Sequence, residues 1–174
     1  VQPEKYAAIE INGNKAIVPC LDLGYRERTL VSPYGVTNLY FNTPLSWKLV
    51  SGGEIEIHYD VFFSGADLDK VIDSTNPYGG NLLFTFNGQI IGTAPLEGTG
   101  SHTVRLEIPD TALLSILQDG RHQLTISLDA HFSCDYDINA RIVIKPTSFF
   151  DLVFEESSPE LNLSRLPSPF YLEN

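Results

Sequence analysis

The stretch EIEIHYDVF (residues 54–62) alternates apolar and polar side chains without interruption. Successive side chains of a β-strand point to opposite faces, so a period of two is typical of a strand with one buried face. The apolar members are Ile55, Ile57, Tyr59 and Val61, and the polar members are Glu54, Glu56, His58 and Asp60. The segment therefore predicts a β-strand that covers a core with one side and faces water with the other.

The same period recurs along the chain. HTVRLEI (102–108) directs Val104, Leu106 and Ile108 inward, and QLTISLDAHF (123–132) does the same with Leu124, Ile126, Leu128, Ala130 and Phe132. Shorter strands are expected near residues 6–11, 15–20, 25–31, 38–42, 82–87, 89–94, 139–145 and 148–154. The chain is thus predicted to be built mainly from short strands.

Two Asn-Gly pairs indicate tight hairpins, at Asn12-Gly13 and at Asn87-Gly88. Both central residues of a type I′ turn have positive φ, which Asn and Gly tolerate best. PDTALLSILQDG (109–120) is the one segment that predicts a helix, because Pro109 and Asp110 are start signals and Gly120 is a stop signal. Its expected apolar stripe consists of Leu113, Leu114 and Leu117.

These elements predict an all-β fold, a jelly-roll-like antiparallel β-sandwich with one short helix. The domain is expected to span residues 1–155. The proline-bearing segment 156–174 is expected to be an exit toward a following domain. The chain of 174 residues is long enough to bury a core without a disulfide or metal.

The formal net charge is −11, with 22 acidic and 11 basic residues. Nucleic acids and anionic lipid surfaces both attract basic proteins, so neither is expected as the main partner. No apolar run approaches the length that spans a bilayer, and no signal peptide is recognisable. Because the chain begins VQPEKY without Met, we expect a mature form or an excised fragment.

No motif predicts catalysis. The four histidines, at 58, 102, 122 and 131, lack the spacing of a metal site. The carboxylate pairs Asp135/Asp137 and Glu155/Glu156 are only two and one residues apart in sequence, whereas a glycosidase needs two carboxylates that face each other across a cleft. We therefore expect no enzyme activity and no cofactor.

Two features remain open from the residues alone. The acidic stretch 64–81 carries Asp67, Asp69 and Asp73, which are oxygen ligands of the kind calcium takes, but solvated loop charge explains them better and no metal is predicted. Cys20 and Cys134 either form a disulfide or remain two buried thiols.

Aromatic side chains near predicted turns are the candidate binding residues, because sugars stack their C–H faces on exposed rings. Tyr78 lies in NPYGG at the tip of the acidic stretch and is the best candidate for an exposed ring. Trp47 is more readily explained as a core residue, since Trp is highly buried on average. The full candidate set is Tyr78, Tyr34, Tyr136 and Trp47.

The order of several segments resembles the family of regulatory subunits of bacterial cellulose synthases (BcsB-like proteins). The segments are LDLGYRERTLVSPYGVTNLYFNTPLSW, IEIHYDVFFS, NLLFTFNGQIIGTAPL, VRLEIPDTALL, LTISLDAHFSCD and LPSPFY. The resemblance covers about residues 15–171, and its specificity lies in the ordered set rather than in one piece.

The resemblance implies a carbohydrate-binding-like jelly roll, the first of two such domains, each followed by a flavodoxin-like domain. It further implies an extracytoplasmic location, with membrane attachment only through a C-terminal anchor outside this chain. The implied partners are cellulose or a related β-glucan and the membrane glycosyltransferase that catalyses synthesis. In such a complex this domain is non-catalytic and guides or scaffolds the emerging polymer.

Two alternatives stay open beside this interpretation. In the first, the domain is an interaction module of the synthase without a working sugar site. In the second, it is a free lectin-like carbohydrate-binding module. Binding of soluble β-glucans separates the first alternative from the main interpretation, and a neighbouring hydrolase gene would favour the second.

Overall fold

The computed structural model describes residues 9–71, 80–115, 120–132 and 137–156, and these form an antiparallel β-sandwich. The predicted all-β, jelly-roll-like fold is confirmed. The large sheet has the order β1-β2-β11-β5-β10-β3, with β8 on the other edge of β5. The small sheet has the order β4-β9-β6-β7.

The strands follow the alternating segments closely. Their bounds are β1 Glu10–Asn12, β2 Lys15–Pro19, β3 Arg28–Val31, β4 Tyr34–Phe41, β5 Trp47–Ser64, β6 Asn81–Phe86, β7 Gln89–Pro95, β8 Gly100–Glu107, β9 His122–Asp129, β10 Asn139–Ile144 and β11 Phe149–Glu156. The largest differences from the prediction are β4, which starts four residues before the expected 38, and β5, which is twice as long as EIEIHYDVF.

The strand β5 organises the large sheet. One edge pairs with β8 over Glu54–Val61, and the other edge pairs first with β11 and then with β10. The register with β11 shifts between Asp151 and Val153, opposite Gly52. The φ of Gly52 is +92°, a conformation that glycine adopts readily. A bulge at this position lets one long strand bend and serve two partners in succession.

The core lies between the two sheets and uses the inward residues that the alternation predicts. Phe84, Phe86, Ile57, Ile126 and Phe150 are fully buried. Phe41 of the small sheet meets Phe150 of the large sheet with ring centroids 4.6 Å apart. Burial of each such side chain contributes roughly 1.5–3 kcal/mol, so this shared core is the main source of stability for both sheets.

Both predicted hairpins form, but their turns differ. Phe86 pairs with Gln89, and Asn87 and Gly88 have φ of 48° and 84°, as a type I′ turn requires. In the first hairpin Asn12 pairs with Lys15, so the turn residues are Gly13 and Asn14 rather than Asn12 and Gly13. There only Gly13 has a positive φ, of 62°.

Asn87 also has a side-chain role that the turn signal does not reveal. Its Nδ2 donates to the carbonyl of Ala112 at 2.9 Å and lies 3.0 Å from His122 Nδ1, and its Oδ1 accepts the Gln123 N–H at 2.9 Å. Asn87 and His122 are each 4% exposed. The side chain therefore ties the β6–β7 turn to β9 and to the segment after β8.

The predicted helix over 109–120 begins where expected but is only one turn long in the described chain. It is α2, Asp110–Leu113, and residues 116–119 lie outside the described part. The predicted apolar stripe is wrong at Leu114, which is 85% exposed, because Ala112 is the residue that faces the core. A second helical turn, α1, spans Leu68–Val71 in the acidic stretch.

The predicted domain end is compatible with the end of β11 at Glu156, and residues 157–174 lie outside the described part of the chain. The expected boundary at 155/156 therefore stays a prediction.

Candidate functional site

The structure describes two of the four candidate aromatic residues, and it places them on different sheets. Tyr34 is the first residue of β4 in the small sheet, and Trp47 is the first residue of β5 in the large sheet. Both therefore start strands instead of lying in turns. Tyr78 and Tyr136 lie outside the described residues and stay predictions.

Trp47 is half-buried and stacks on Phe154, with ring centroids 3.8 Å apart and planes within 7°. Phe154 is itself part of the core. One face of the indole is thus occupied by a packing contact, which agrees with the expectation that Trp47 is mainly structural.

Tyr34 is 65% exposed. Its ring meets the His131 ring edge to face, with centroids 4.3 Å apart and an interplanar angle of 75°. His131 Nδ1 in turn lies 2.8 Å from Asp129 Oδ1. The tyrosine ring is therefore supported at its side and open to solvent, which is the arrangement that a stacking platform needs.

Tyr34 stands at one corner of the outer surface of the small sheet, which we call the polar face. The register aligns its outward residues in cross-strand rows over β4, β9 and β6. The face consists of Tyr34, Val36, Asn38 and Tyr40 from β4, Gln123, Thr125, Ser127 and Asp129 from β9, and Asn81, Leu83 and Thr85 from β6. Asp129 is the one ionised side chain among them.

The centre of the polar face is a fixed hydrogen-bonded cluster. Gln123 Nε2 shares its protons among Asn38 Oδ1 at 3.0 Å, Thr125 Oγ1 at 3.2 Å and Tyr40 OH at 3.3 Å. Thr125 Oγ1 also donates to Asn38 Oδ1 at 2.7 Å. Because these groups hold one another, their remaining polar atoms face solvent from set positions.

Within the described chain, two polar atoms of this cluster have no protein partner. Asn38 Nδ2 is a pair of donors, and Gln123 Oε1 is an acceptor. A fixed donor beside a fixed acceptor, on the same face as the exposed Tyr34 ring, suits a neutral ligand that carries hydroxyl groups on apolar C–H faces. Chemically the polar face can bind such a ligand.

Tyr40 is anchored at the far end of the face. Its ring lies under the Arg121 guanidinium, with Cζ 4.9 Å from the ring centroid. The Tyr25 hydroxyl donates to the Tyr40 carbonyl at 2.9 Å and accepts the Tyr40 N–H at 2.6 Å. The second tyrosine of the polar face is consequently held in place from two directions.

The outer surface of the large sheet has a different character, and we call it the charged face. It includes Glu54, Glu56, His58 and Asp60 of β5, Arg105 and Glu107 of β8, Asp151 of β11 and Lys145. Glu56 Oε1 lies 2.7 Å from His58 Nε2, and Glu56 Oε2 lies 2.7 Å from Arg105 Nε. The hydrogen bond from His58, aided by the Arg105 charge, lowers the pKa of Glu56.

A second ion pair continues the charged face. Lys145 Nζ lies 2.8 Å from Asp60 Oδ1, and the Ser101 hydroxyl donates to the same carboxylate. The hydrogen bond from Lys145 and then that from Ser101 lower the pKa of Asp60. The turn between β10 and β11 brings Thr147 Oγ1 to 2.9 Å from His58 Nδ1. The polar residues of EIEIHYDVF therefore form a row of hydrogen-bonded and ion-paired side chains, a charge ladder, on the solvent side of the large sheet.

A cleft of about 400 Å³ lies at the end of the charged face, lined by Ser51, Gly52, Gly53, Glu54, Glu107, Ile108, Pro109 and Asp110. Glu54 and Glu107 are register partners on adjacent strands. Their carboxylates therefore project side by side from one sheet. A glycosidase instead places its two carboxylates on either side of the bond that it cleaves.

The described part of the acidic stretch uses Asp67 for backbone hydrogen bonding. Asp67 Oδ2 accepts the Asp137 N–H at 2.8 Å, and Asp137 Oδ2 accepts the Ala66 N–H at 3.2 Å. Over residues 9–71, 80–115, 120–132 and 137–156, no three His, Cys, Asp or Glu side chains are grouped to hold a metal ion. Asp73 lies outside these ranges, so the calcium alternative is not tested there.

Cys20 is a free thiol that is 2% exposed, and burial raises its pKa to about 12. A buried thiol that stays protonated is inert and contributes as a small apolar side chain. Cys134 lies outside the described residues.

The polar face is the part of the molecule that sequence reasoning missed. The polar phase of QLTISLDAHF begins with three uncharged residues, Gln123, Thr125 and Ser127, before Asp129 and His131, whereas the polar residues of EIEIHYDVF are Glu, Glu, His and Asp. That difference is readable in the sequence. The alignment of this phase with Asn38 and Tyr40 depends on the pairing of β9 with β4, which is not readable there.

The fold and this face define the chain as a jelly-roll-like β-sandwich with a nearly uncharged, tyrosine-bearing outer sheet surface. No protein-family model and no curated protein matches the chain. Among the described residues, no helix is long and apolar enough to cross a bilayer.

Proposed function

We propose that the chain is a non-catalytic accessory domain of a bacterial cellulose or related exopolysaccharide synthase. In this proposal it works outside the cytoplasm, beside the membrane glycosyltransferase that makes the polymer, and it guides or scaffolds the emerging glucan. The resemblance of the ordered segments supports the synthase assignment. The polar face is the single structural observation that supports a role in contacting the glucan.

The chemistry of the polar face matches that of a neutral β-glucan. Such a polymer exposes equatorial hydroxyl groups along its edges and C–H groups on its ring faces. The Asn38–Gln123 pair offers a donor and an acceptor to the hydroxyl groups. Tyr34 offers a ring face for stacking, and its own hydroxyl group suits the boundary between sugar and water.

The near absence of charge is also relevant to ligand choice. A uronic-acid polymer needs cations to bind, and a cationic polymer needs anions. The centre of the polar face, formed by Asn38, Gln123, Thr125 and Thr85, carries neither. It therefore favours a neutral glycan over a charged one.

Affinity electrophoresis in gels that contain a soluble mixed-linkage or hydroxyethylated β-glucan tests this proposal. We expect the wild-type protein to be retarded and Tyr34→Ala to lose about two- to tenfold in affinity, the value of one aromatic contact of about 0.5–1.5 kcal/mol. The melting temperature should not change, because exposed side chains contribute little to stability.

Phe62→Ala is the matched control. Phe62 is a 39% exposed aromatic residue of the large sheet, with the Arg141 guanidinium 4.8 Å from its ring centroid. Its removal should leave glucan retardation unchanged. If the wild-type protein is not retarded at any glucan concentration, or if Phe62→Ala weakens retardation as much as Tyr34→Ala, the polar face is not a glucan site.

A second candidate function is an interaction module of the synthase, and one observation favours it. Asp151, Glu54 and Glu107 occupy one cross-strand row on β11, β5 and β8. Like charges directly opposite each other in a sheet are destabilising, and a basic protein surface would relieve the repulsion. Loss of glucan binding, together with retention of the domain by the synthase, would select this candidate.

A further inference from the structure

The strand β4 lies at one edge of the small sheet, and within the described chain it pairs only with β9. In an antiparallel ladder, the backbone groups of alternate residues point toward the partner and away from it. Gln123, which is opposite Tyr40, exchanges hydrogen bonds with Asn87 instead: its carbonyl accepts the Asn87 N–H at 2.8 Å and its N–H donates to Asn87 Oδ1 at 2.9 Å. Tyr40 and the residues in phase with it therefore direct their N–H and C=O groups outward.

The four residues in this outward phase are Tyr34, Val36, Asn38 and Tyr40. The Tyr25 hydroxyl satisfies both outward groups of Tyr40. Tyr34, Val36 and Asn38 keep their outward N–H and C=O groups without a protein partner in the described chain. Tyr34 is 65% exposed and Val36 is 62% exposed, so water and other proteins can reach this edge.

We infer that β4 pairs edge to edge with β4 of a second copy of this chain, antiparallel, with the two-fold axis at Val36. Val36 then exchanges two backbone hydrogen bonds with the partner's Val36. Tyr34 pairs with the partner's Asn38, and Asn38 pairs with the partner's Tyr34. The Tyr25 hydroxyl group sets this register, because it already bonds the outward backbone groups of Tyr40. The three residues whose outward groups remain, Tyr34, Val36 and Asn38, are symmetric about Val36.

Three features of β4 favour a second copy over an unrelated strand. The register is self-complementary, so the same three residues of each β4 strand form the backbone hydrogen bonds of the dimer. Val36 meets the partner's Val36 on the outer surface, and β-branched residues stabilise such cross-strand pairs. A two-fold pairing uses up both edges and closes, so assembly stops at the dimer.

The distribution of charge in β4 and in the whole chain is also consistent with a dimer of two copies. Proteins commonly protect an exposed edge strand with a charged residue or a proline, and β4 contains neither. The chain as a whole carries a net charge of −11. Two such chains repel each other over long range, so the dimer should strengthen as salt screens the repulsion.

Pairing in this way would join the two four-stranded small sheets and continue the polar face from one copy into the other. The rows of β9 and β6 on one copy would meet those of the other through the two β4 strands. Edge pairing needs no sugar, so its test is separate from that of glucan binding.

Sedimentation velocity on the full chain tests the pairing between roughly 10 μM and 1 mM, concentrations at which a dimer with a micromolar to millimolar Kd is detected. We expect the wild type to form dimers as its concentration rises. Val36→Lys and Val36→Glu should each weaken dimerisation at least tenfold, because each places like charges opposite each other at the axis. An equimolar mixture of the two variants should recover dimers, since Lys then faces Glu.

Ile90→Lys is the matched control. Ile90 is 67% exposed on β7, the opposite edge strand of the same sheet, so its replacement should leave dimerisation unchanged. Circular dichroism and melting curves establish that each variant is folded. A wild type that stays monomeric at every concentration and salt level overturns the inference and leaves the edge to a strand of another protein. Val36→Lys that dimerises like the wild type overturns it as well.

Amide hydrogen exchange provides a second readout that does not depend on substitutions. In the dimer, the amides of Tyr34, Val36 and Asn38 should become protected as protein concentration rises. Gly35 and Thr37 already bond to β9, so their protection should not change. Equal exchange of Val36 at low and high concentration contradicts the edge pairing.

Discussion

The two outer surfaces of the sandwich are built from the same kind of alternating strand, yet they present opposite chemistry. The charged face of the large sheet is a ladder of ion pairs, such as Glu56 with Arg105 and Asp60 with Lys145. The polar face of the small sheet is a network of neutral hydrogen bonds among Asn38, Gln123 and Thr125. Since one core supports both sheets, the difference lies in the solvent-facing residues of each sheet and not in core packing.

The two faces also differ in how their polar atoms are paired. On the charged face some ionised groups pair with each other, as Glu56 does with Arg105, but within the described chain Asp151 Oδ1 is buried without a hydrogen-bond partner, in a row with Glu54 and Glu107. The polar face fixes its groups but leaves a donor and an acceptor toward solvent, on the same face as Tyr34. This combination of fixed, neutral polar atoms and an exposed ring is the basis of the proposed glucan contact.

The largest expected effect comes from Asn87, which supports the polar face from below. Asn87→Ala removes three hydrogen bonds around the buried His122 and strains a residue with φ of 48°, so we expect a loss of about 3 kcal/mol in the free energy of unfolding. Urea unfolding measures the loss. Chemical-shift changes should centre on Gln123 and its neighbours and leave the Glu56 ladder unaltered.

Asn87→Gly is the matched variant, because glycine keeps the positive φ and loses only the side chain. It should be destabilised nearly as much as Asn87→Ala. Recovery of wild-type stability in Asn87→Gly would mean that the backbone turn alone explains Asn87.

A smaller effect is expected on the charged face, and it depends on pH. The pKa of Glu56 is lowered from its usual value of 4.5, so its contribution is fully present above pH 4.5 and is lost as the pH falls through the lowered value. Glu56→Gln should therefore cost up to about 1 kcal/mol at pH 7, and the cost should shrink below pH 4.5. Melting temperatures from about pH 7 to about pH 3 check this dependence.

Thr125→Val on the polar face is the control for that experiment, because it removes a hydrogen bond without a titrating group. Its cost should be the same at pH 7 and at low pH. If Glu56→Gln costs as much at low pH as at pH 7, the ion pairs of the charged face do not stabilise the fold in the way described.

The smallest expected effect is that of salt on the polar face. Ion pairs weaken in salt because exposed charges are screened within about 3 Å at 1 M, whereas contacts to a neutral glucan involve no charge. Affinity for soluble β-glucan should therefore change less than about twofold between low salt and 1 M NaCl. A large fall in affinity at high salt would mean that charged groups bind the ligand, and it would contradict the assignment of binding to the polar face.

The strands and the inner faces were predictable from the sequence because alternation is a local signal. Ile55, Ile57, Leu124 and Ile126 are fully buried, as their phase predicts. The length of β5 was not predictable, since Gly52 and Gly53 interrupt the alternation and only the pairing with β11 continues the strand through them. The start of α2 was predictable from Pro109 and Asp110, but the expected apolar stripe is wrong at Leu114, which is exposed, whereas Leu113 packs against the core beside the buried Ala112.

The candidate site was predictable only in part. The position of Tyr34 near a predicted turn indicated an exposed ring, and its exposure agrees with that prediction. Asn38, Tyr40 and Gln123 were not predictable, because they become neighbours through the pairing of β4 with β9, which are separated by about eighty residues of sequence. Local patterns identify faces of single strands, and the strand order decides which faces meet.

The most direct test of the central claim, that the polar face contacts a neutral glucan, is an NMR titration of the labelled protein with a soluble cello-oligosaccharide at millimolar concentration. We expect chemical-shift changes that cluster on Tyr34, Asn38, Gln123 and Thr125, with the residues of the charged face unmoved. Shifts centred on Glu56 and Arg105, or no shifts in a folded protein at saturating sugar, would contradict the claim.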